Sequence, residues 1–254
     1  MTGRVVVVTG GTRGLGRRIG TRYLEAGAEV VTCARTAPDS PIVAAGREAR
    51  FVTADVRDAD QIATVVDATI DEHGRIDVLV NNAGGAPPTD SATVSPRFDE
   101  KIVALNLLAP MAFSRAVNQV MQTQAEGGVI INISSVSGTR ANPGGVAYGA
   151  AKAGLLNMTE TLAVEYGPKV RVVALTVGMI VTEDAHLYYG DDEGIAAVGR
   201  NLALGRMGLP DDVAGVCLFV ASPLAAWISG TSIAVHGGGS RPSYLDASTS
   251  DAGT

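Results

Sequence analysis

The sequence predicts an α/β protein of the Rossmann type: a doubly wound parallel sheet of about seven strands, with helices on both faces. Short runs of Val, Ile and Leu alternate with longer segments in which apolar residues recur every three or four positions. The runs are continuously apolar, which is typical of parallel strands covered on both faces. No Ser-, Pro- or Gly-rich linker divides the chain, so we predict a single domain over 1–240 and a C-terminal tail over 241–254.

Each predicted element has its own signal in the sequence. The strand-like runs lie at 4–10, 28–34, 49–55, 76–84, 127–135, 170–177 and 231–238. The segments with helical periodicity lie at 14–27, 58–74, 98–124, 148–167 and 210–222. Asp58 and Pro210 suit the start of a helix, and Gly27, Gly74 and Gly167 suit the end of one. Because strands and helices alternate, the carboxyl ends of the strands share one edge, where ligands bind in such folds.

Charge and composition argue against several other classes of protein. The formal charge of -6 and the pI near 5.1 disfavour a nucleic-acid partner and favour a small molecule. The chain begins with a strand-like run and has no apolar run long enough to span a bilayer, so we expect a cytoplasmic protein without a membrane segment. Cys33, Cys217 and the histidines are isolated from one another, so we expect no metal site.

A glycine-rich turn lies between the first predicted strand and the first helix. Glycines let the chain turn tightly here and let a phosphate approach the helix N-terminus, whose dipole favours anions. Plain strand-to-helix turns also use glycine, so the context of the motif matters more than its composition. The residues predicted to bind a dinucleotide in this turn are Gly10, Thr12, Arg13, Gly14, Leu15 and Gly16. Their TGxxxGxG spacing resembles that of the short-chain dehydrogenase/reductase family.

The end of the second predicted strand indicates which dinucleotide binds. A carboxylate at this point would hydrogen-bond the adenosine ribose and repel a 2′-phosphate. This chain has Arg35 and Thr36 instead, and we expect Arg13 to point to the same corner. Guanidinium groups bind phosphate through paired hydrogen bonds, so we predict NADP(H) rather than NAD(H). The alternative is that both arginines are ordinary surface residues.

The third and fourth predicted strands end in further candidate contacts to the cofactor. Asn82, Ala83 and Gly84 follow the fourth strand, where they could line a cofactor or simply form a turn. The family resemblance implies that these three residues lie along the ribose and that Asp55 and Val56 lie near the adenine.

The stretch VAYGAAKAG, at 146–154, predicts an acid/base pair on one helical face. Tyr148 and Lys152 are four positions apart, so their side chains project side by side. We expect the ammonium to lower the phenol pKa from its ordinary value of about 10, which would suit proton transfer at neutral pH. Upstream, Ser135 could polarise a carbonyl beside that phenol, with Ser134 as the neighbouring alternative.

The set Asn106, Ser135, Tyr148 and Lys152 resembles the catalytic tetrad of the short-chain dehydrogenase/reductase family in order and spacing. The resemblance implies that a ketone and a secondary alcohol are interconverted by hydride transfer, with Tyr148 as general acid or base. It also implies that Lys152 lowers the pKa of Tyr148 and holds the nicotinamide ribose, that Ser135 orients the carbonyl, and that Asn106 anchors a water in the proton path.

The same resemblance covers residues 4–240 and has two further implications. Ile180 and Thr182 are expected to contact the nicotinamide carboxamide. Relatives of this size form homotetramers, so we expect one here, built through the helical segments 97–124 and 148–167.

Segment 183–201 lies where the family has a substrate lid. Tyr188 and Tyr189 would provide aromatic walls and His186 a polar contact. The acidic residues at 191–193 are expected to disfavour an anionic carboxylate substrate. The alternative is a mobile acidic loop that has no part in specificity.

Two other functions compete with reduction of a small free ketone. The first is reduction of a 3-ketoacyl thioester on CoA or on an acyl carrier protein. Acidic carrier proteins dock on basic surfaces, and the absence of Lys and Arg from 120–128 weakens this option. The second is a non-catalytic NADP(H)-binding protein, since a fold does not guarantee chemistry.

Overall fold

The computed structural model describes residues 1–242, and a parallel sheet runs through the middle of this region. The strands are β1 (Val5–Thr9), β2 (Glu29–Ala34), β3 (Val43–Ala44), β4 (Arg47–Glu48), β5 (Arg50–Thr53), β6 (Val78–Asn81), β7 (Gly128–Ser135), β8 (Val170–Val177) and β9 (Thr231–Val235). Seven of them pair in parallel in the order β5-β2-β1-β6-β7-β8-β9, which confirms the predicted sheet and fold class. The antiparallel pair β3 and β4 was not predicted, because strands of two residues carry no periodicity.

The helices of the described region lie between these strands. They are α1 (Gly14–Glu25), α2 (Ala59–His73), α3 (Pro96–Val103), α4 (Ala109–Thr123), α5 (Val146–Tyr166), α6 (Ala185–Tyr189), α7 (Asp192–Arg200) and α8 (Pro210–Ala221). The Asp58 carboxylate accepts hydrogen bonds from two amides of the first turn of α2, and Gly74 ends that helix in the left-handed region with φ of 70°. The predicted helix at 98–124 is divided by a π-helical turn, Ala104–Leu108, between α3 and α4.

Hydrophobic packing covers both faces of the sheet. Val6 and Val8 of β1 belong to one core layer, together with residues of α1 and α8. Val7, which points the other way, belongs to the second layer, with residues of α2, α4 and α5. All three valines have no exposed surface, which explains why this strand is apolar at every position. None of the described helices is long and apolar enough to cross a membrane.

The strand order reverses beside β1, and this point positions the candidate site. The chain leaves β1 for β2 and β5 on one side and returns to β6 on the other. Loops that follow β1 and β6 therefore diverge and leave a crevice at the carboxyl ends of the strands. The tail predicted at 241–254 lies outside the described residues from 243 onward.

Candidate active site

Three adjoining cavities follow the carboxyl edge of the sheet. The arginine cavity, about 480 Å³, lies beyond β1, β2 and β5 and includes Arg13, Arg35 and Arg57 in its wall. The glycine cleft, about 280 Å³, lies over the turn between β1 and α1. The tyrosine cavity, about 480 Å³, lies beneath α6 and is walled in part by Tyr188 and Tyr189. Their sizes suit the parts of an extended ligand and a small second molecule.

The glycine turn leaves room for a ligand close to its backbone. Gly10 and Gly14 have positive φ angles of 63° and 52°, which side chains rarely adopt. A side-chain carbon on Gly16 would lie 2.2 Å from the Gly10 carbonyl oxygen, so only glycine is tolerated there. Helix α1 has no side-chain cap from Arg13, its N-cap residue, and its N-terminus faces the cleft as an anion-binding end. The residues present therefore fit a dinucleotide diphosphate.

Asn82 braces this turn from the neighbouring strand end. Its side-chain amide donates to the carbonyl oxygens of Thr9, at 2.9 Å, and Gly10, at 3.1 Å. The Thr9 hydroxyl in turn accepts hydrogen bonds from the backbone amides of Asn82 and Ala83, each at 3.0 Å. Asn82 and Ala83, which hold the turn, also line the arginine cavity together with Gly84.

The arginine cavity brings together the residues predicted at the ends of the second and third strands. Its lining includes Arg35, Thr36, Asp55 and Val56. Asp55 forms an ion pair with Arg57, and this guanidinium lowers the pKa of Asp55 to about 2. Arg57 was missed by sequence reasoning, although it lies only two positions after Asp55.

Arg13 departs from the expected arrangement. It lines the arginine cavity together with Arg35. Its guanidinium, however, forms an ion pair with Asp184 at 2.9 Å and is not directed with Arg35 toward one ligand group. The residue before Asp184, Glu183, accepts a hydrogen bond from the Gly14 amide at 3.0 Å. A carboxylate thus lies at the N-terminus of α1, because that amide and the helix dipole attract any nearby anion.

Asn106 is completely buried in the π-helical turn. Its side-chain nitrogen donates to the carbonyl oxygens of Gly85, at 3.0 Å, and Ile102, at 2.9 Å, and its oxygen accepts from the Gly85 amide at 2.9 Å. These contacts tie the loop after β6 to the helix. Both hydrogens of the side-chain amide are therefore bonded within the protein.

Ser135 and Tyr148 lie on the boundary between two cavities. Both line the glycine cleft and the tyrosine cavity. Ser135 is the last residue of β7, and its hydroxyl accepts a hydrogen bond from the Ser137 amide at 3.1 Å. Tyr148 lies in the first turn of α5. Ser134 differs from Ser135 in two ways. It lines the glycine cleft but not the tyrosine cavity, and its hydroxyl donates a hydrogen bond to the Lys152 carbonyl at 3.1 Å.

Lys152 lies beneath Tyr148 and is 4% exposed. Its ammonium donates to the Ile133 carbonyl at 2.8 Å and lies 5.6 Å from the centre of the Tyr148 ring. A side-chain carbon on Gly84 would approach this ammonium to 3.3 Å, so the glycine keeps the space beside it open. Ile180 and Thr182 complete the wall of the tyrosine cavity, on the segment that follows β8.

The pKa of Tyr148 is shifted in the direction opposite to the expected one. Burial raises the pKa of Tyr148 above its ordinary value, and the Ser135 hydroxyl offsets only part of this increase. The ammonium of Lys152 is close to the ring but is bonded to a backbone carbonyl, and burial lowers its own pKa to about 8. The phenol is consequently held in its protonated form at neutral pH.

Burial of Lys152 leads to a testable pH dependence of stability. Its pKa falls from 10.5 to about 8 on folding, so between these values the unfolded chain binds more protons than the folded one. The free energy of unfolding of the wild type, relative to Lys152→Met, should therefore rise by about 3 kcal/mol as pH increases from 8 to 10.5. Urea unfolding of both proteins at pH 7.5 and pH 10.5 measures this difference. A difference that stays constant with pH would contradict the assigned burial of a charged ammonium.

The predicted lid segment at 183–201 contains α6 and α7. Tyr188 and Tyr189 line the tyrosine cavity as expected. His186 does not line it, and its imidazole is instead bonded to the Gly190 carbonyl at 2.9 Å. The acidic residues at 191–193 are absent from the cavity wall as well, and the Asp191 carboxylate accepts from the Gly194 amide at 3.0 Å as the N-cap of α7.

Two charged residues near the site have no local signal in the sequence. Glu183 reaches the glycine turn, and Arg140 lines the tyrosine cavity. Neither belongs to a recognisable motif, so only the folded arrangement identifies them. Within residues 1–242 no cluster of three or more His, Cys, Asp or Glu side chains is placed to hold a metal ion.

Known proteins resemble this chain over most of its length. A family model described as enoyl-(acyl carrier protein) reductase matches residues 10–240. The chain is 35% identical over 246 residues to a 3-oxoacyl-[acyl-carrier-protein] reductase of Synechocystis, covering 94% of this chain and 97% of that protein. It is 32% identical over 242 residues to the 2-dehydro-3-deoxy-D-gluconate 5-dehydrogenase of Escherichia coli, covering 94% and 96%. A candidate short-chain alcohol dehydrogenase from Sinorhizobium meliloti has a solved structure with a TM-score of 0.86, at 34% identity, covering 94% of this chain and 96% of that one.

Proposed function

The chain belongs to the short-chain dehydrogenase/reductase family, and from this premise we propose that it interconverts a ketone and a secondary alcohol with NADP(H), using Tyr148 as general acid/base. The observation that carries the proposal is the position of Ser135 and Tyr148 on the wall shared by the glycine cleft and the tyrosine cavity. A carbonyl bound in the tyrosine cavity can contact both hydroxyls while it faces the cleft that fits the cofactor.

The nicotinamide supplies or accepts the hydride when the cofactor is bound. The side chains of this protein transfer the proton and orient the carbonyl. The Ser135 hydroxyl is placed to donate a hydrogen bond to the carbonyl oxygen, and the Tyr148 phenol is placed to donate its proton to the same oxygen during reduction. Because burial raises the pKa of Tyr148, the phenol carries that proton at neutral pH. Oxidation of an alcohol would need the phenolate and should require a higher pH.

Lys152 and Asn106 have supporting roles in this chemistry. The Lys152 ammonium lies close to both Tyr148 and Gly84, where it can hold the ribose hydroxyls and stabilise a developing phenolate. Asn106 fixes the Gly85 backbone, which lines the cleft and the tyrosine cavity. We regard Asn106 as a positioning residue.

The charges of the arginine cavity support NADP(H) as the cofactor. Its wall carries three arginines against two aspartates. Asp55 is paired with Arg57, and Arg13 is paired with Asp184. Among residues 1–242, Arg35 forms no ion pair with a carboxylate, so its guanidinium can donate hydrogen bonds to a 2′-phosphate.

The direct test is turnover of a panel of ketones and secondary alcohols, followed by the absorbance of NADPH. The panel should include free ketones, oxo acids and acyl thioesters, because the relatives named above act on chemically different substrates. Carbonyl-dependent NADPH oxidation that is saturable in both substrates is the expected result. Tight NADPH binding without turnover of any compound would favour a non-catalytic binding protein.

Glu183 should weaken cofactor binding, because its carboxylate occupies the Gly14 amide where the glycine turn fits a diphosphate. Replacing Glu183 by Gln removes a negative charge that repels the phosphates, and we expect the Kd for NADPH to fall by roughly three- to tenfold at low salt. Cofactor fluorescence measures this Kd without turnover. Glu193→Gln, an exposed residue of α7 that lines none of the three cavities, is the matched control. A Kd that is unchanged or higher in Glu183→Gln would show that this carboxylate does not compete with the cofactor.

A second candidate is reduction of a 3-ketoacyl thioester. One observation favours it beyond the similarity to the 3-oxoacyl reductase: the Lys169 ammonium donates to the carbonyls of Gln122 and Gln124, at 2.8 and 3.1 Å. This ammonium lies at the end of α4, beside the stretch 120–128. It therefore gives that surface a positive charge although the stretch itself has no Lys or Arg. Comparing kcat/KM for acetoacetyl-CoA with that for small ketones separates the two functions.

We also propose that the protein is a homotetramer in solution. The helical segments expected at the interfaces, 97–124 and 148–167, carry large apolar side chains at the surface, with Leu108 53% and Val164 83% exposed. Burial of such side chains against another copy is favourable. Light scattering after size-exclusion chromatography measures the mass, which should be four times the 26.0 kDa of one chain.

A further inference from the structure

Arg140 is a cation in the wall of the tyrosine cavity. The other residues of that wall, from the loop after β6, the segment 135–148, the segment after β8 and α6, are uncharged. A single guanidinium in an otherwise neutral cavity favours ligands that carry one negative group, because it can bind that group through charge-assisted hydrogen bonds.

The guanidinium of Arg140 has hydrogen-bonding capacity left for a ligand. One of its terminal nitrogens, Nη1, donates to the Ser240 hydroxyl at 2.9 Å, and Ser240 is held in a β-bridge with Leu202. This contact orients the side chain without neutralising it. Within residues 1–242 no carboxylate lies within ion-pair distance of Arg140, and Nε and Nη2 form a fork that matches one carboxylate.

The acidic residues of the lid do not cancel this charge. Glu183 and Asp184 are engaged with Gly14 and Arg13, on the side of the glycine cleft. The residues at 191–193 lie outside the cavity wall. The expectation that the acidic lid disfavours an anionic substrate is therefore not supported, since the charge that lines the cavity is positive.

We propose that the substrate is an oxo acid or the corresponding hydroxy acid, and that Arg140 binds its carboxylate while Ser135 and Tyr148 contact its ketone or hydroxyl group. This inference rests on the proposed function. In the direction of reduction, the ketone carbon receives a hydride from NADPH and its oxygen receives the proton of Tyr148, which solvent replaces. The carboxylate is unchanged by the reaction and serves only for recognition. A single guanidinium suits a carboxylate better than a phosphate group, which usually attracts several donors.

The size of the effect follows from the exposure of Arg140. A charge-assisted hydrogen bond at an exposed position is screened by water and salt, so we expect a preference of about tenfold, at the lower end of the range for such contacts. The preference should decrease as ionic strength rises, because the Debye length shortens.

The experiment compares oxo acids with their own methyl esters, which keep the ketone but lose the charge. Four chain lengths, 2-oxo, 3-oxo, 4-oxo and 5-oxo acids, vary the distance between the ketone and the carboxylate. Wild type, Arg140→Gln and Arg97→Gln are assayed with NADPH against the acids, the esters and acetoacetyl-CoA. Arg97 is an exposed arginine of α3 that lines none of the cavities, so it controls for the loss of a positive charge.

The expected result is that wild type and Arg97→Gln favour at least one oxo acid over its ester by about tenfold in kcat/KM. Arg140→Gln should lose that preference because kcat/KM for the acid falls, and a Kd for NADPH within about threefold of the wild type reports that the variant is folded. Equal use of acid and ester by the wild type, or an acid preference that survives in Arg140→Gln, would overturn the inference and leave the proposed function standing. An effect of Arg140→Gln confined to acetoacetyl-CoA would assign the arginine to a phosphate-bearing carrier and would also overturn it. Absence of turnover with all acids, esters and thioesters would also overturn it, and the wider panel of ketones and alcohols then decides whether the proposed function stands.

Discussion

Replacing Tyr148 by Phe is expected to lower kcat for ketone reduction by about a thousandfold, while the Kd for NADPH changes less than about threefold. General acid catalysis by a positioned side chain contributes roughly 10²–10⁴ in rate, and the Tyr148 phenol is the acid placed on both the glycine cleft and the tyrosine cavity. The Phe ring preserves the packing of the partly buried aromatic group and removes only the hydroxyl. The steady-state absorbance of NADPH gives kcat, and cofactor fluorescence gives the Kd.

Tyr166→Phe is the matched control for this variant. Tyr166 lies on the same helix, α5, but at its opposite end and away from the three cavities. We expect its kcat to stay within about twofold of the wild type. If Tyr148→Phe retains turnover, Tyr148 is not the proton donor. The pH profile adds a second reading: alcohol oxidation by the wild type should increase with pH, because the phenol pKa is raised by burial.

Replacing Arg35 by Asp is expected to change the ratio of kcat/KM for NADPH to that for NADH by about a thousandfold, in favour of NADH. The guanidinium that pairs with a 2′-phosphate is lost, and a carboxylate that repels the phosphate and can accept hydrogen bonds from a ribose takes its place. A thousandfold change corresponds to about 4 kcal/mol of differential binding. Initial rates with both cofactors, at one fixed carbonyl concentration, measure the ratio.

Arg97→Asp provides the same change of charge outside the cavities and should leave the ratio within about threefold. A wild type that prefers NADH would contradict the assignment of NADP(H). A ratio that Arg35→Asp leaves unchanged would mean that Arg35 does not contact the part of the cofactor in which the two molecules differ.

The elements of the fold could be predicted because each depends on neighbours in sequence. A strand buried on both faces is apolar at every position, as Val6, Val7 and Val8 are, and the capping of α2 by Asp58 involves residues within one turn. The pairing of Tyr148 and Lys152 on one face of α5 follows from the helical repeat alone. The π-helical turn at Asn106 could not be predicted from local periodicity, and the Asn106 side chain within it bonds the backbone of Gly85, 21 positions away in the chain.

The sequence by itself determined the parallel sheet, the glycine turn and the spacing of the tetrad, because periodicity and steric requirements act over a few residues. Tertiary structure alone decided the electrostatics of the site. It brought Glu183 to Gly14 and Arg140 to Ser240, contacts that span 169 and 100 positions of the chain. It also partly buried Tyr148 and buried Lys152, which raised the pKa of the first and lowered that of the second. Charge interactions depend on distance and on exclusion of water, and both are set only when loops from distant strands meet at one edge of the sheet.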